Sequence, residues 1–256
     1  MSIKKIPLGI IIGLCATGSF QAQAASTPVA EYRFNNSLGS SVNGAPALVP
    51  TDPLGQNAFQ TDSVLGNNRQ VYSFKGVADP VTDQAGLSLD TSGLISNNAV
   101  YSVEIVFKFT EHENAWRRII DVQNRQSDNG FYVDPGNKLD IYPVIGGAAF
   151  TNNVYHDVFL TNNNGTATFY LDGSPQATAM THVMDIDSNN QMNFFLDNVV
   201  AGGQREYSSG SVALIRVYNE ALNAPPVPSI PEPETYAMLL AGLGLVGFLA
   251  RRKKQA

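Results

Sequence analysis

The nine residues YSVEIVFKF, Tyr101 to Phe109, constrain the fold of this chain more than any other stretch. Tyr101, Val103, Ile105, Phe107 and Phe109 fall on one face of an extended segment, and Ser102, Glu104 and Lys108 on the other, with Val106 the exception. Side chains alternate across a strand with a period of two, whereas a helix needs apolar residues three and four apart. The stretch therefore predicts a half-buried antiparallel strand. TATFYLDGS repeats the pattern: Ala167, Phe169 and Leu171 share one face, and Thr166, Thr168 and Tyr170 the other. Asp172-Gly173 and the run Asn162 to Gly165 supply tight turns on either side, because glycine takes positive φ without a Cβ penalty. VYHDVFL (154–160) is expected to pair across the second of these turns, and QMNFFLD and SVALIRVYN to add two more strands. Breakers recur at Asp79-Pro80, Asn129-Gly130, Asp134-Pro135-Gly136, Gly146-Gly147 and Gly202-Gly203. Many short strands with such punctuation predict an all-β sandwich or barrel. The body shows no internal repeat, and its one candidate for a helical turn is Asn219 to Leu222.

Both ends read as processing segments and stand apart from this fold. Lys4 and Lys5 precede an apolar run, Leu8 to Leu14, and Ala22-Gln23-Ala24 is a small-x-small site, so a signal peptide over 1–24 is expected. Its removal takes away Cys15, the only cysteine, and leaves a chain without disulfide, thiol nucleophile or thiolate metal site. Leu14 before Cys15 does not suit a lipoprotein signal. Lys4, Lys5 and Arg251 to Lys254 are all terminal, so the body from Ala25 to Ile230 keeps 10 of the 16 basic residues. Only Glu232 and Glu234 lie outside it among the acids, so it keeps 20 of 22. A body this acidic repels nucleic acid and anionic lipid, which sets nucleic-acid binding aside.

The C-terminal segment reads from its prolines outward. Residues 224–230 form a Pro-rich spacer, since each proline fixes φ and removes a donor. Tyr236 to Ala250 is apolar on every side. As a helix rising 1.5 Å per residue it spans about 22 Å, short of a ~30 Å hydrocarbon core. Tyr236 can sit in one interface and Arg251, Arg252, Lys253 and Lys254 can snorkel to the other, as a membrane stop on the cytoplasmic side. The run from Ile230 to Leu245 with its Pro231-Glu232-Pro233 lead and basic end resembles the PEP-CTERM sorting signal, a pattern also called an ice-binding protein C-terminal motif. That resemblance implies a sorting segment over 231–256, recognition by an exosortase-type membrane protease, and a cut near Pro231, Glu232 and Pro233. It also implies transient residence in the inner membrane before delivery to the cell surface or extracellular matrix.

The body carries a second resemblance. AEYRFNNSLGSS from Ala30, VYSFKGVADPV, YSVEIVFKF, YHDVFLTNNNGTATFYLDGSPQAT and SSGSVALIRVYNEAL follow one another as do the blocks of laminin-G-like, concanavalin A-like domains. The resemblance spans roughly Ala30 to Leu222, within a domain bounded at 25–223. It implies a jelly-roll β-sandwich of two antiparallel sheets whose first and last strands pair. Domains of this kind bind glycans, proteins or calcium, and some cleave glycans; the fold alone does not choose.

Candidate sites were weighed against that fold. The glucanase branch places Glu-x-Asp-x-Glu on one strand, and the nearest match is Asp185-Ile186-Asp187-Ser188-Asn189. Asn189 cannot donate the proton a leaving group needs, so the segment reads as an acidic loop. Glu111, His112 and Glu113 read as a solvated hairpin end. Calcium is the candidate metal, with Asp79, Asp83, Asp128 and Asp134 as candidate ligands and an Asx turn as the alternative at each. His112, His156 and His182 show no ligand spacing. Trp116 with Arg117 and Arg118 offers a surface for stacking on a sugar, against a core or rim role. The expectation is an exported, non-enzymatic surface or matrix protein that binds extracellular polysaccharide or matrix partners. A glycan-cleaving enzyme on the same fold and an inert matrix scaffold are the alternatives.

Overall fold

The computed structural model describes residues 26–77, 80, 83–200 and 205–226. The signal peptide, the sorting motif, the apolar run 236–250, the membrane stop and Asp79 lie outside the described residues. Among those described, the chain forms fifteen strands: β1 (Ala30–Tyr32), β2 (Val49–Thr51), β3 (Ala58–Val64), β4 (Asn67–Phe74), β5 (Gly86–Asp90), β6 (Val100–Phe109), β7 (Arg117–Asp121), β8 (Gly130–Val133), β9 (Lys138–Tyr142), β10 (Ile145–Ala149), β11 (His156–Asn163), β12 (Thr166–Leu171), β13 (Ser174–Met180), β14 (Gln191–Phe194) and β15 (Gly210–Tyr218). They make two antiparallel sheets. The larger runs β13-β12-β11-β6-β15-β4-β3, with β1 also paired to β15, and the smaller runs β10-β9-β8-β7-β14-β5-β2.

Both glycine turns form as the sequence demands. Asn164 and Gly165, and Asp172 and Gly173, all have positive φ, which matches the right-handed twist of the strands they join. β11 begins two residues later than the alternation suggests and extends to Asn163. The helical turn expected at Asn219 to Leu222 is instead a bend, and the short helical element is a 3-10 turn at His182–Met184.

Tyr101, Val103, Ile105, Phe107 and Phe109 all point into the space between the sheets and are completely buried. There Phe107 and Phe109 meet Phe74, Phe150 and Phe195 in a set of stacked and edge-on rings, with Phe74 and Phe195 only 4.3 Å apart. Burying each such ring contributes about 2–3 kcal/mol. β6 is nonetheless not half-buried. It sits between β11 and β15, and its outward side chains are buried too: Ser102, Glu104 and Val106 are almost inaccessible. Val106, the break in the alternation, packs outward with Val64, Val71, Tyr155, Ala213 and Leu214 in a second small core.

Glu104 tolerates burial because the strands beside it bring a counter-charge. The register sets Glu31 of β1 beside Arg216 of β15, and Arg216 beside Glu104 of β6. Arg216 Nε donates to Glu31 Oε2 at 2.6 Å and Nη1 to Glu104 Oε2 at 3.2 Å. Tyr218 Oη donates to Glu104 Oε2, and Arg33 Nε and Ser41 Oγ donate to Glu31 Oε1. Burial alone would raise the Glu31 carboxyl, but these donors overcome it and hold the group at about 2. The network pins the first strand to the last. Past Tyr218 the chain folds back as a strap: Leu222 N–H donates to Ser102 Oγ, Tyr170 Oη donates to Asn223 O, and Leu222 packs on Phe159, Tyr170 and Tyr218.

Candidate functional site

The end of the sandwich at which β15 finishes also gathers several loops. Ser96 N–H bonds Asn219 Oδ1, Ile186 N–H bonds Asn98 O, and Asp187 N–H bonds Val122 O. There the loop after β7 faces the turn after β13 across a polar cleft of about 330 Å³, lined by Gln123, Ser127, Asn129, Thr181, His182 and Val183.

One wall is shaped from behind by a buried arginine. Arg118 of β7 donates Nη1 to Asn129 O at 3.0 Å, and Nη2 to Ser127 O at 3.2 Å and Asp128 O at 3.1 Å. Tyr132 Oη adds a bond to Asp128 O, and the guanidinium lies 4.4 Å from the centre of that tyrosine ring. Three successive carbonyls thus turn inward, which presents the Ser127 and Asn129 side chains outward. Gly130 is required beside this clamp, since a Cβ there would come within 2.7 Å of Arg118 Nη1. Arg118 also pairs with Asp121 and Asp197, and both carboxylates have further donors in Asn193, Arg125 N–H and Glu206 N–H.

Carboxylates outnumber cations here. Asp121, Asp128, Asp197 and Glu206 share their surroundings with Arg118 and Arg125. Burial raises Asp121 and Asp197 despite Arg118. Burial, reinforced by Asp197 and Asp128, pushes Glu206 up to about 9, so it is a neutral acid at neutral pH.

The other wall is the 3-10 turn. Thr181 caps it by accepting from Val183 N–H. His182 Nδ1 pairs with Asp185 Oδ2 at 2.8 Å, and Asp185 Oδ1 accepts from Asn162 Nδ2 at 2.8 Å. Gly165 lies against the His182 ring, where a Cβ would approach to 2.6 Å. Gln123 Nε2 donates to Asp185 O at 2.8 Å and ties the two walls together. The Asn129 carboxamide and Gln123 Oε1 make no hydrogen bond within the described residues. The cleft is therefore a fixed array of hydrogen-bonding groups with two open amide functions.

The residues singled out by sequence fall mostly elsewhere. Asp128 is in the Arg118 network, where its carboxylate accepts from Asn198. Asp134 accepts Lys138 N–H, four residues on, and closes the β8–β9 hairpin. Asp83 closes a turn with Pro80 and Val77. Asp128 and Asp134 lie at opposite ends of β8, on the order of 13 Å or more apart. Among the described residues no three His, Cys, Asp or Glu side chains are placed to hold a metal ion, so these calcium candidates do not converge.

Asp185 and Asp187 do not act as a pair either: Asp185 serves Asn162 and His182, while Asp187 accepts both the backbone and side-chain N–H of Asn189. Arg117 and Arg118 cannot stack on a sugar, because both are buried and already lie against Phe109 and Tyr132. Trp116 is a rim residue packed edge-on to Tyr132 and Tyr142. Glu111 accepts from Ser209 and pairs with Lys75, His112 stacks on Tyr207, and Glu113 is exposed. His156 points inward against Phe150 and bonds Asp172. The cleft residues Gln123, Ser127 and Thr181 carry no motif; Asn129-Gly130 had signalled only a turn.

A family model described as the concanavalin A-like lectin/glucanases superfamily, of laminin-G type, matches residues 81–227. A PEP-CTERM protein-sorting motif matches residues 229–254, which makes this an exported protein of an exosortase-type system, bound for the surface or extracellular space. No curated protein matches the chain. Domain 4 of AbnA, an extracellular arabinanase from Geobacillus stearothermophilus solved with arabinotriose, superposes with a TM-score of 0.54 at 17% identity, over 78% of this chain and 95% of that one. The binding domain of botulinum neurotoxin DC, solved in complex with SialylT, gives 0.53 at 11% identity over 77% of this chain and 48% of that one. At such identities the likeness is one of fold. The family match spans more than half of the sequence and agrees with the two antiparallel sheets: the chain belongs to the concanavalin A-like lectin/glucanase superfamily.

Proposed function

We propose that this is a non-enzymatic glycan-binding protein of the cell surface or matrix, and that the cleft between residues 123–129 and 181–183 is its binding site. The carrying observation is the pre-formed polar cleft, with both walls held by buried hydrogen bonds and open amide groups facing out. Pre-organisation of this kind lowers the entropy lost on binding. The arabinotriose complex of the similar arabinanase domain supports a saccharide as the ligand class. Asp185 and Asp187, the nearest approach to a glycosidase pair, are occupied by structural hydrogen bonds, which favours binding over cleavage.

In this reading the apolar segment 236–250 anchors the protein transiently in the inner membrane, with Arg251 to Lys254 as its stop, until an exosortase-type protease cuts near Pro231 to Pro233. The domain is then released with its strap intact. Among the described residues no helix is long and apolar enough to cross a membrane, and the expected anchor lies outside them. The test is a glycan array and a pull-down with the host's own exopolysaccharide, with and without calcium. Binding is expected in both conditions; no binding in either overturns the reading, and release of reducing sugar would replace it with hydrolysis.

A further inference from the structure

We infer that the cleft selects neutral, hydroxyl-rich saccharides and rejects acidic ones such as polyuronates; this rests on the reading of the cleft as a glycan site. Gln123 uses one amide N–H on Asp185 O and leaves its second N–H and Oε1 open, a donor and an acceptor. Asn129 offers one acceptor and an NH2 donor, and Ser127 and Thr181 offer hydroxyl hydrogens, one lone pair of each oxygen being taken by Asn129 N–H and Val183 N–H. With Nδ1 turned to Asp185, His182 presents Nε2 on an exposed ring. The open groups are therefore a mixture of donors and acceptors.

A sugar hydroxyl gives and accepts a hydrogen bond and can satisfy both kinds. A carboxylate or sulfate only accepts, so wherever it takes the place of a hydroxyl opposite Gln123 Oε1 or Asn129 Oδ1 that oxygen is left without a donor. Charge acts in the same direction. Among the described residues no Lys or Arg lines the cleft. Two guanidiniums stand near this wall: Arg118, completely buried behind it with its donors turned to carboxylates and carbonyls, and Arg125 on the loop itself, which donates to Asp197 O and Gln84 Oε1. Asp185 stands directly behind His182 and Asp128 within the clamped loop, so the field at the cleft is that of an acidic protein. The volume, about 330 Å³, is at the small end of ligand sites and suits one or two sugar rings.

The test is calorimetric titration of the full exported chain with neutral trisaccharides of glucose, galactose and arabinose, and with tri-uronates of the same length. The expected result is binding of at least one neutral trisaccharide, little affected by salt, with every tri-uronate at least tenfold weaker. Asn129→Ala should weaken the neutral ligand about tenfold or more with its melting temperature unchanged, and Asn129→Lys should narrow the preference by admitting a uronate. A tri-uronate that binds as tightly as any neutral trisaccharide, and is lost in Asn129→Ala, overturns the selectivity and leaves the glycan site standing. Absence of all binding overturns the glycan site itself.

Discussion

Two buried arginines, one on each sheet, solve the same problem with different outcomes. Arg216 on the larger sheet lies between Glu31 and Glu104, and the surrounding donors are numerous enough to hold Glu31 at about 2. Arg118 on the smaller sheet also meets two carboxylates, yet Asp121 and Asp197 stay raised and Glu206 is pushed up to about 9. The first network joins the two ends of the domain and leaves one raised carboxyl beside it, Asp157 of β11, which burial and Glu104 push up to about 7. The second carries surplus acid and spends three of its hydrogen bonds on the carbonyls of 127–129, so it shapes a loop instead of neutralising its neighbours. An arrangement that leaves a neutral acid buried is a poor choice for stability alone, and is explained if the shape of that loop is what matters.

The largest effects should come from removing either cation. Arg216→Ala and Arg118→Ala each strand buried carboxylates and should cost about 3–5 kcal/mol in chemical denaturation. The comparison breaks at the loop: of the two, only Arg118→Ala should raise amide exchange at 127–129 under native conditions, because Arg118 bonds all three of those carbonyls and Arg216 none. Arg118→Lys sharpens this, since a lysine keeps the charge but cannot reach three carbonyls with a planar fork. It should loosen the loop at a smaller loss of stability, about 2 kcal/mol.

One carboxyl from each network, Glu31 and Glu206, should also respond to pH with opposite sign. Glu31 has a folded pKa below its ordinary 4.5, so its stabilisation is complete above about 4.5 and is lost as pH falls toward about 2. Glu206 has a folded pKa above 4.5, so the folded state holds a proton the unfolded state releases, and stability falls as pH rises from about 4.5 toward about 9. Glu206→Gln keeps the neutral form and should remove that decline. With solvent screening discounted it should gain about 1 kcal/mol at pH 8 and nothing at pH 4, as read from melting curves at the two pH values. Smaller still is Gly165→Ala. Its φ of +79° and the His182 ring at 2.6 Å predict a cost of about 1–2 kcal/mol and a shifted His182 ring resonance by NMR.

Sequence reached the scaffold better than the site, and particular residues show why. β6 and β12 were readable because strict alternation leaves one register that buries Phe107 and Phe169, and the turns at Gly165 and Gly173 because positive φ there admits few residues. β7 was not: RRIID begins with two arginines that look solvent-facing, and only the tertiary fold brings Asp197, Asn137 and the backbone of 127–129 to meet them. β8 to β10 are only four or five residues long, and β10 is interrupted by two glycines, which weakens a periodic signal. The cleft residues come from loops more than fifty positions apart, and neither Ser127 nor His182 stands in a motif. Their role comes from orientation, set by Arg118 and Asp185, and orientation leaves no mark on spacing.

The most direct test of this account is a paired measurement on the exported chain and its Asn129→Ala variant: affinity for the host's own exopolysaccharide fragments by calorimetry, and melting temperature by circular dichroism. Asn129 points its free amide into the cleft and supports nothing else, so affinity should fall about tenfold or more while the melting temperature stays within about 1 °C. An affinity that does not change would contradict the assignment of the cleft.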